Sequence, residues 1–213
     1  MSKRGRFIVL EGGEGVGKST NLQFVRDYLT DSGVPLECSR EPGGTPLAER
    51  IRELVLMHHD EPMAAMTELL LIFAARAQHL QQRILPALEQ GRWMLCDRFT
   101  DATYAYQGGG RQLDKQSIAA LEQLVQGSLR PDRVLLLDAP VAIGQARARQ
   151  RAALDRMEAE QADFHQRVRD SYLQRARQMP EHYSIIDASQ PLAAVQADIA
   201  AQLQLMVEGW HNE

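Results

Sequence analysis

Residues 12–19 read Gly-Gly-Glu-Gly-Val-Gly-Lys-Ser, directly after the apolar run Phe7-Ile8-Val9-Leu10 and ahead of a stretch with helical character. The pattern Gly-x-x-x-x-Gly-Lys-Ser between a strand and a helix is a phosphate-binding loop. Glycines reach backbone conformations closed to other residues, so successive N–H groups can curl around phosphate oxygens. The helix that follows adds unpaired N–H donors and the positive end of its dipole. Gly12, Gly13, Glu14, Gly15, Val16, Gly17, Lys18, Ser19 and Thr20 form the expected cradle for a nucleoside triphosphate, with Lys18 reaching the β- and γ-phosphates and the Ser19 hydroxyl ligating Mg²⁺.

A strand-to-helix loop of this kind implies an α/β chain, and the rest of the sequence supplies one. Five short apolar runs read as buried strands: Arg6–Leu10, Leu36–Arg40, Trp93–Cys96, Arg133–Leu137 and Ser184–Ile186. Helical stretches separate them, at Ser19–Ser32, Leu47–Met57, Met63–Gln90, Asp114–Gln126 and Val141–Met179, with a last helix from Pro191 to about Glu208. Alternating strands and helices mean a parallel sheet covered on both faces, and such sheets bind ligands beyond the carboxyl ends of their strands. Glu11 with the phosphate loop, Arg40-Glu-Pro-Gly-Gly-Thr45, and Asp97-Arg98 all fall at those ends, so one active site on one rim is expected.

Asp97 is a candidate to hold Mg²⁺ through water, with Arg98 beside it to pair with phosphate; Asp138, at the end of another apolar run, competes for the metal. In Arg40–Thr45, Pro42 fixes one dihedral while Gly43 and Gly44 permit close backbone approach to a ligand or form an ordinary turn. Arg76 lies in a mainly apolar helix with Ile72 and Phe73 one turn before it on a shared face. A guanidinium beside an apolar platform suits a nucleobase, although a core face with Arg76 reaching solvent fits the same spacing. Eight arginines lie between Arg147 and Arg177. Interleaved acids make a solvated helix face the explanation for most of them; two or three would serve a closing lid, stabilising charge on a transferred phosphoryl group and excluding water.

The bulk properties narrow the class. The 213 residues suit one domain with a substantial core, and a net charge of −4 argues against broad nucleic-acid binding. No apolar run approaches the ~20 residues of a membrane span, and no signal-like segment precedes the first strand. Cys38 and Cys96, the two cysteines, lie in apolar segments and are expected as buried thiols in a reducing, cytoplasmic setting.

Taken in order, Glu11–Ser19, Arg40–Thr45, Ala74-Ala-Arg76, Asp97-Arg98, Ala105-Tyr-Gln-Gly-Gly-Gly110 and Leu154-Asp-Arg156 resemble the bacterial thymidylate kinases over nearly the whole chain. The resemblance implies a three-layer P-loop kinase fold: a five-stranded parallel sheet flanked by helices, as a single domain over 1–213, with an Arg-rich helical lid around 144–160. It implies transfer of the ATP γ-phosphate to dTMP, with Mg²⁺, in a homodimer. By motif position it gives Lys18 and Ser19 to the ATP phosphates and Mg²⁺, Glu14 to the dTMP sugar, and Arg98 and Arg52 to the acceptor phosphate. Arg76, Thr103 and Gln107 match the positions that read the thymine edge, and Tyr172 resembles a tyrosine lining the sugar. Val16 stands where some relatives carry a loop arginine, so the catalytic arginine is expected from the lid: Arg149 and Arg151 first, then Arg147 and Arg156. The family's thymine-stacking Phe is replaced by Ile72, with Phe73 one residue late, leaving either side chain to cover the base.

Two rivals remain at this level. One is a P-loop kinase for another small acceptor (dCMP, UMP, a deoxynucleoside or a non-nucleotide alcohol). The other is a nucleotide switch or ATPase with no acceptor, against which the chain lacks the Asn-Lys-x-Asp guanine-reading motif.

Overall fold

The computed structural model describes residues 3–148 and 155–212. Five strands, β1 (Phe7–Gly12), β2 (Leu36–Arg40), β3 (Trp93–Asp97), β4 (Arg133–Asp138) and β5 (Tyr183–Asp187), form one parallel sheet in the order β2-β3-β1-β4-β5. All five expected strands are present within two residues of their expected ends. The central β1 reads as a continuous apolar run because both its faces are covered.

Alternate side chains of the run go to opposite layers. Ile8 and Leu10 pack with Val25 and Leu29 of α1 (Lys18–Asp31) and with Ile199 and Leu203 of α9 (Leu192–Asn212). Phe7 and Val9 face Leu80, Ile84 and Leu88 on the other side. That second layer holds α2 (Pro46–Leu56), α3 (Ala65–His79), α4 (Leu85–Glu89), α5 (Thr100–Thr103), α6 (Lys115–Gln126) and α8 (Ala162–Gln178), with α7 (Val141–Ala148) leading away from β4.

Three expectations change. The helix expected over Met63–Gln90 starts at Ala65 and widens to a π-helical turn at Leu80–Ile84 before α4. Pro86 offers no N–H to the carbonyl one turn back and its ring crowds that carbonyl, which the wider turn relieves. The single helix expected over Val141–Met179 does not form: α7 is described as far as Ala148, and residues 155–161 are a turn in which Asp155 Oδ1 accepts from the N–H groups of Met157 (2.8 Å) and Glu158 (2.9 Å). Cys96 is buried but Cys38 is exposed, since β2 lies at the sheet edge; neither forms a disulfide.

The register places the rim. Leu10, Arg40 and Asp97 are matched across β1, β2 and β3, so the phosphate loop, the Arg40–Thr45 loop and Arg98 leave the sheet side by side. The Arg98 N–H donates to Leu10 O (3.0 Å) and the Glu41 N–H to Asp97 O (2.9 Å), tying the three exits together.

Candidate active site

α1 opens at Lys18 behind Gly17, and no side chain caps it, leaving its first N–H groups for a ligand. Gly15 takes a positive φ of 69°, and a Cβ there would meet the Gly144 carbonyl oxygen at 1.9 Å, so the loop lies directly against the backbone of α7. Val16 is buried in the core among Ile8, Leu10 and Leu137, which is how the loop does without a charged side chain at that position. Lys18 Nζ folds back onto the carbonyls of Gly13 (2.6 Å) and Gly12 (3.2 Å). Burial, with the nearby Arg98 charge, lowers its pKa to about 8. Ser19 and Thr20 are exposed, Ser19 at the rim of a cavity of about 210 Å³ and Thr20 outside its lining.

That cavity runs from the phosphate loop to α3, between the Arg40–Thr45 loop and the 155–161 turn. On the loop side Arg98, at a positive φ of 66°, donates to Gly12 O (2.8 Å), the Tyr172 hydroxyl (3.1 Å) and Glu14 Oε1 (2.6 Å). A non-glycine residue in that region marks strain that the surrounding contacts hold. Burial alone would raise the Glu14 carboxyl; Arg98, Lys18 and the Tyr106 hydroxyl (2.5 Å) outweigh it and take its pKa down to about 2. Glu11 behind them is fully buried, accepts from Phe99 N–H (2.8 Å) and the Tyr172 hydroxyl (2.7 Å), and is pushed up to about 8 by burial and by Asp101. Arg52 reaches into the same cavity, donating to Pro42 O (3.0 Å).

On the α3 side, Arg76 is 1% exposed. Its Nε donates to Glu41 Oε2 (2.6 Å) and one terminal nitrogen to Thr103 Oγ1 (2.9 Å) and Phe99 O (3.2 Å). Its Nη1, also buried, has no partner among the described residues. Glu41 is held in turn by His79 Nδ1 (3.0 Å), whose Nε2 pairs with Ser39 Oγ (2.6 Å). Gly44 packs onto this chain: a Cβ there would sit 2.4 Å from Ser39 Oγ and 2.5 Å from the His79 ring. The close approach that Gly44 permits is to these side chains rather than to a ligand. Gln107 lines the cavity, its Nε2 donating to Glu68 Oε1 (2.7 Å).

Of the residues singled out in the sequence, Glu14, Gly15, Gly17, Lys18, Ser19, Arg52, Ile72, Arg76, Asp97, Arg98, Thr103 and Gln107 share this one cavity. Several others stand apart from it. Phe73 is turned into a cluster with Leu69, Tyr104 and Ile118, its ring 4.8 Å from the Arg76 guanidinium, so it braces Arg76 from behind while Ile72 takes the cavity wall. Tyr172 is buried behind Arg98, and the tyrosine on the wall is Tyr106. Asp138 accepts from two nitrogens of Arg169, Nε (2.7 Å) and Nη2 (2.8 Å), which commits it to an ion pair. Arg147 donates to Ala188 O (2.9 Å). Arg156 donates to Val55 O and pairs with Glu68 (2.6 Å), docking the 155–161 turn rather than facing the cavity. Arg149 and Arg151 lie outside the described residues.

Sequence reading passed over Glu41, His79, Glu68 and Tyr106. The first three are buried polar groups that hold Arg76 and Gln107. Glu41 lies inside the Arg40–Thr45 motif, which says nothing of its partner; the sequence signal of Glu68 and His79 is a polar side chain inside a mainly apolar helix, which looks the same when it is merely solvated.

A phosphate loop at the carboxyl end of β1 and four cationic side chains, Lys18, Arg52, Arg76 and Arg98, around one cavity define a P-loop phosphotransferase for a small phosphorylated acceptor. The sequence profile of the family described as thymidylate kinase matches residues 10–199. The chain is 62% identical over 204 residues to the thymidylate kinase of Ectopseudomonas mendocina, covering 96% of this chain and 97% of that one. It is 56% identical over 200 residues to that of Teredinibacter turnerae (94% and 98% covered). The crystal structure of thymidylate kinase from Ehrlichia chaffeensis superimposes with a TM-score of 0.77 at 30% identity, covering 94% of this chain and 99% of that one. The chain belongs to the thymidylate kinase family, and its reaction is phosphoryl transfer from ATP to dTMP, giving dTDP for dTTP synthesis.

Proposed function

We propose that dTMP occupies the cavity between the phosphate loop and α3, with ATP on the phosphate loop. The observation that carries this reading is Arg76, which lines the cavity and whose buried Nη1 has no hydrogen-bond partner among the described residues. An unsatisfied buried donor is costly, and a base carbonyl would satisfy it. Thymine presents O4 to Arg76 and N3–H to the acceptors at Gln107 and Thr103. Ile72 covers the ring with aliphatic surface in place of an aromatic platform.

The acceptor phosphate then falls among Arg98, Arg52 and Lys18, and Glu14 takes the sugar. The nucleophile is an already ionised phosphate oxygen, so no strong general base is needed. In-line positioning, cationic neutralisation and exclusion of water carry the rate. The Arg-rich segment around 144–160 acts as the lid of a single domain spanning 1–213, with Arg149 and Arg151 as the arginines that reach the transferred group.

Mg²⁺ fits the site. Asp97 Oδ1 is buried without a hydrogen-bond partner among the described residues, and Asp97 and Ser19 line the same cavity. No group of three or more His, Cys, Asp or Glu side chains suited to a metal occurs among the described residues. Oxygen donors from one carboxylate and one hydroxyl suit an ion that keeps its waters and binds through substrate phosphates. Bound there, Mg²⁺ would neutralise charge on the β- and γ-phosphates.

The chain works as a homodimer in the cytoplasm. α2 and α3, with their ends, carry Leu47, Leu54, Met57, Met66 and Leu70, five of the nine exposed large hydrophobic residues among those described, and these form the self-association face. No described helix is long and apolar enough to cross a membrane.

A coupled ADP-release assay with ATP and Mg²⁺ tests the site, comparing dTMP, dUMP, dCMP, dGMP and no acceptor. Strong release with dTMP, weaker with dUMP and little with dCMP or dGMP is expected. Equal rates with dTMP and dCMP would overturn the assignment of Arg76, Thr103 and Gln107 to the base edge.

A further inference from the structure

Glu68 sits in the first turns of α3 and is 0% exposed. Three side chains from three other parts of the chain converge on it. Gln107 Nε2 donates to its Oε1 at 2.7 Å, Arg111 Nε approaches Oε1 at 3.4 Å, and an Arg156 terminal nitrogen lies 2.6 Å from Oε2. Arg111 and Arg156 also hold the turn that roofs the cavity: Arg111 pairs with Glu160, and Arg156 binds Val55 O. None of these contacts involves a substrate atom.

We infer that Glu68 is the positioning residue that makes this kinase select a pyrimidine carrying a proton on N3, by fixing which way the Gln107 amide faces. The inference rests on the base-reading place proposed for Gln107. An ionised carboxylate flanked by two guanidinium groups only accepts hydrogen bonds, so the amide must turn its NH₂ toward Glu68. The amide oxygen, without a partner among the described residues, is then left as the acceptor on the cavity wall. Thymine and uracil offer a donor at N3. Cytosine offers an acceptor at N3 and an amino group at C4, so it meets Gln107 acceptor to acceptor and Arg76 donor to donor. Discrimination between these bases thus depends on a residue that touches neither.

Glu68→Gln removes the constraint while keeping the side chain's size. The new amide keeps its one oxygen on the closer guanidinium, Arg156 at 2.6 Å against 3.4 Å for Arg111, and turns its NH₂ toward Gln107, which reverses Gln107 and turns a donor toward the base. The ratio of kcat/KM for dTMP to that for dCMP should fall by about tenfold or more, chiefly through the KM for dTMP. Glu68→Asp, still an acceptor only, should keep the ratio within about threefold of the parent, although it changes packing more than the isosteric change does. A carboxylate that merely stabilised the fold would show the reverse order. An unchanged ratio in Glu68→Gln, or an equal loss in both variants, would overturn the inference.

Gln107→Ala separates the two levels of the argument. If it leaves dTMP kinetics as in the parent, the base-reading place itself fails. If it weakens dTMP while Glu68→Gln keeps the ratio, only the role of Glu68 fails. Should Glu68→Gln not fold, the side-chain amide ¹⁵N–¹H resonances of Gln107 in the parent protein test the same orientation. They should be hydrogen-bonded before dTMP is added and shift little on its binding. A large shift, with the NH₂ transferring to the nucleotide, would refute it.

Discussion

On the α3 side of the cavity, Arg76 is already bound to Glu41, Thr103 and the Phe99 carbonyl before any nucleotide arrives, with one nitrogen left over. On the phosphate-loop side, Lys18 rests on the carbonyls of its own loop, and Arg98 is paired with Glu14. Under the proposed assignment, the first arrangement is a finished surface: buried protein groups hold the reader, and the ligand adds the last bond. The second, under the same assignment, is a set of charges satisfied by stand-in partners that phosphate oxygens must displace. Orientation of a base demands a fixed donor pattern, and rigid second partners supply it. Phosphates arrive with enough charge to displace carbonyl contacts, so the loop gains nothing from a fixed side chain there and keeps its lysine soluble in its own backbone meanwhile.

Three measurements bear on this contrast. Lys18→Ala should lower kcat by about 10³-fold, with the KM for dTMP and the melting temperature little changed, because Lys18 binds only loop carbonyls. A drop in melting temperature comparable to that of an Arg76 variant would erase the distinction between the two sides. Arg76→Ala should raise the KM for dTMP by about 100-fold with kcat within a few-fold. It should also destabilise the fold by about 3 kcal/mol or more, since Glu41 is left buried without its guanidinium. A normal KM for dTMP would remove Arg76 from base recognition.

The smallest effect concerns protons. Lys18 has a pKa of about 8 in the free protein, lowered by burial and by Arg98. The cationic form binds phosphate, so binding raises that pKa, and ATP should draw in about half a proton at pH 8. Above that pH its affinity should fall by up to about tenfold per unit. Calorimetry in buffers of different ionisation enthalpy reads the uptake directly. No uptake at pH 8 would mean that Lys18 is fully charged without a ligand, and the loop would then be as prepared as the α3 side.

The strands were legible because a parallel sheet buried on both faces needs short continuous apolar runs such as Phe7–Leu10 and Val134–Leu137, whereas the run Leu69–Phe73 sits inside a much longer helical stretch. Arg76, Thr103 and Gln107 were brought to one cavity by motif, but the partners of Glu41, His79 and Glu68 could not be read, although Glu41 lies inside Arg40–Thr45. A buried acid differs from a solvated one only by partners that lie far away in sequence: Glu68 meets Gln107 and Arg156, Glu41 meets Arg76. The turn at 155–161 was hidden for a related reason. The arginine-rich stretch keeps helical spacing and composition, while its turn is made by Asp155 bonding locally to the backbone, a short-range competition that periodicity does not register. Phe73 misleads for the opposite reason: one residue of helical offset, about 100°, carries it from the cavity wall to the core behind Arg76.

The contact between Gly15 and Gly144 has a consequence for how such a chain can vary over generations. A Cβ on Gly144 would meet the Glu14 carbonyl oxygen at 2.3 Å, and one on Gly15 would meet Gly144. Neither position can acquire a side chain unless the other's backbone withdraws, so drift at one cannot be compensated by a smaller residue at the other. Gly144 is therefore bound to the history of the phosphate loop although it belongs to no motif, and a lineage that remodels the segment after β4 inherits a fixed point within α7.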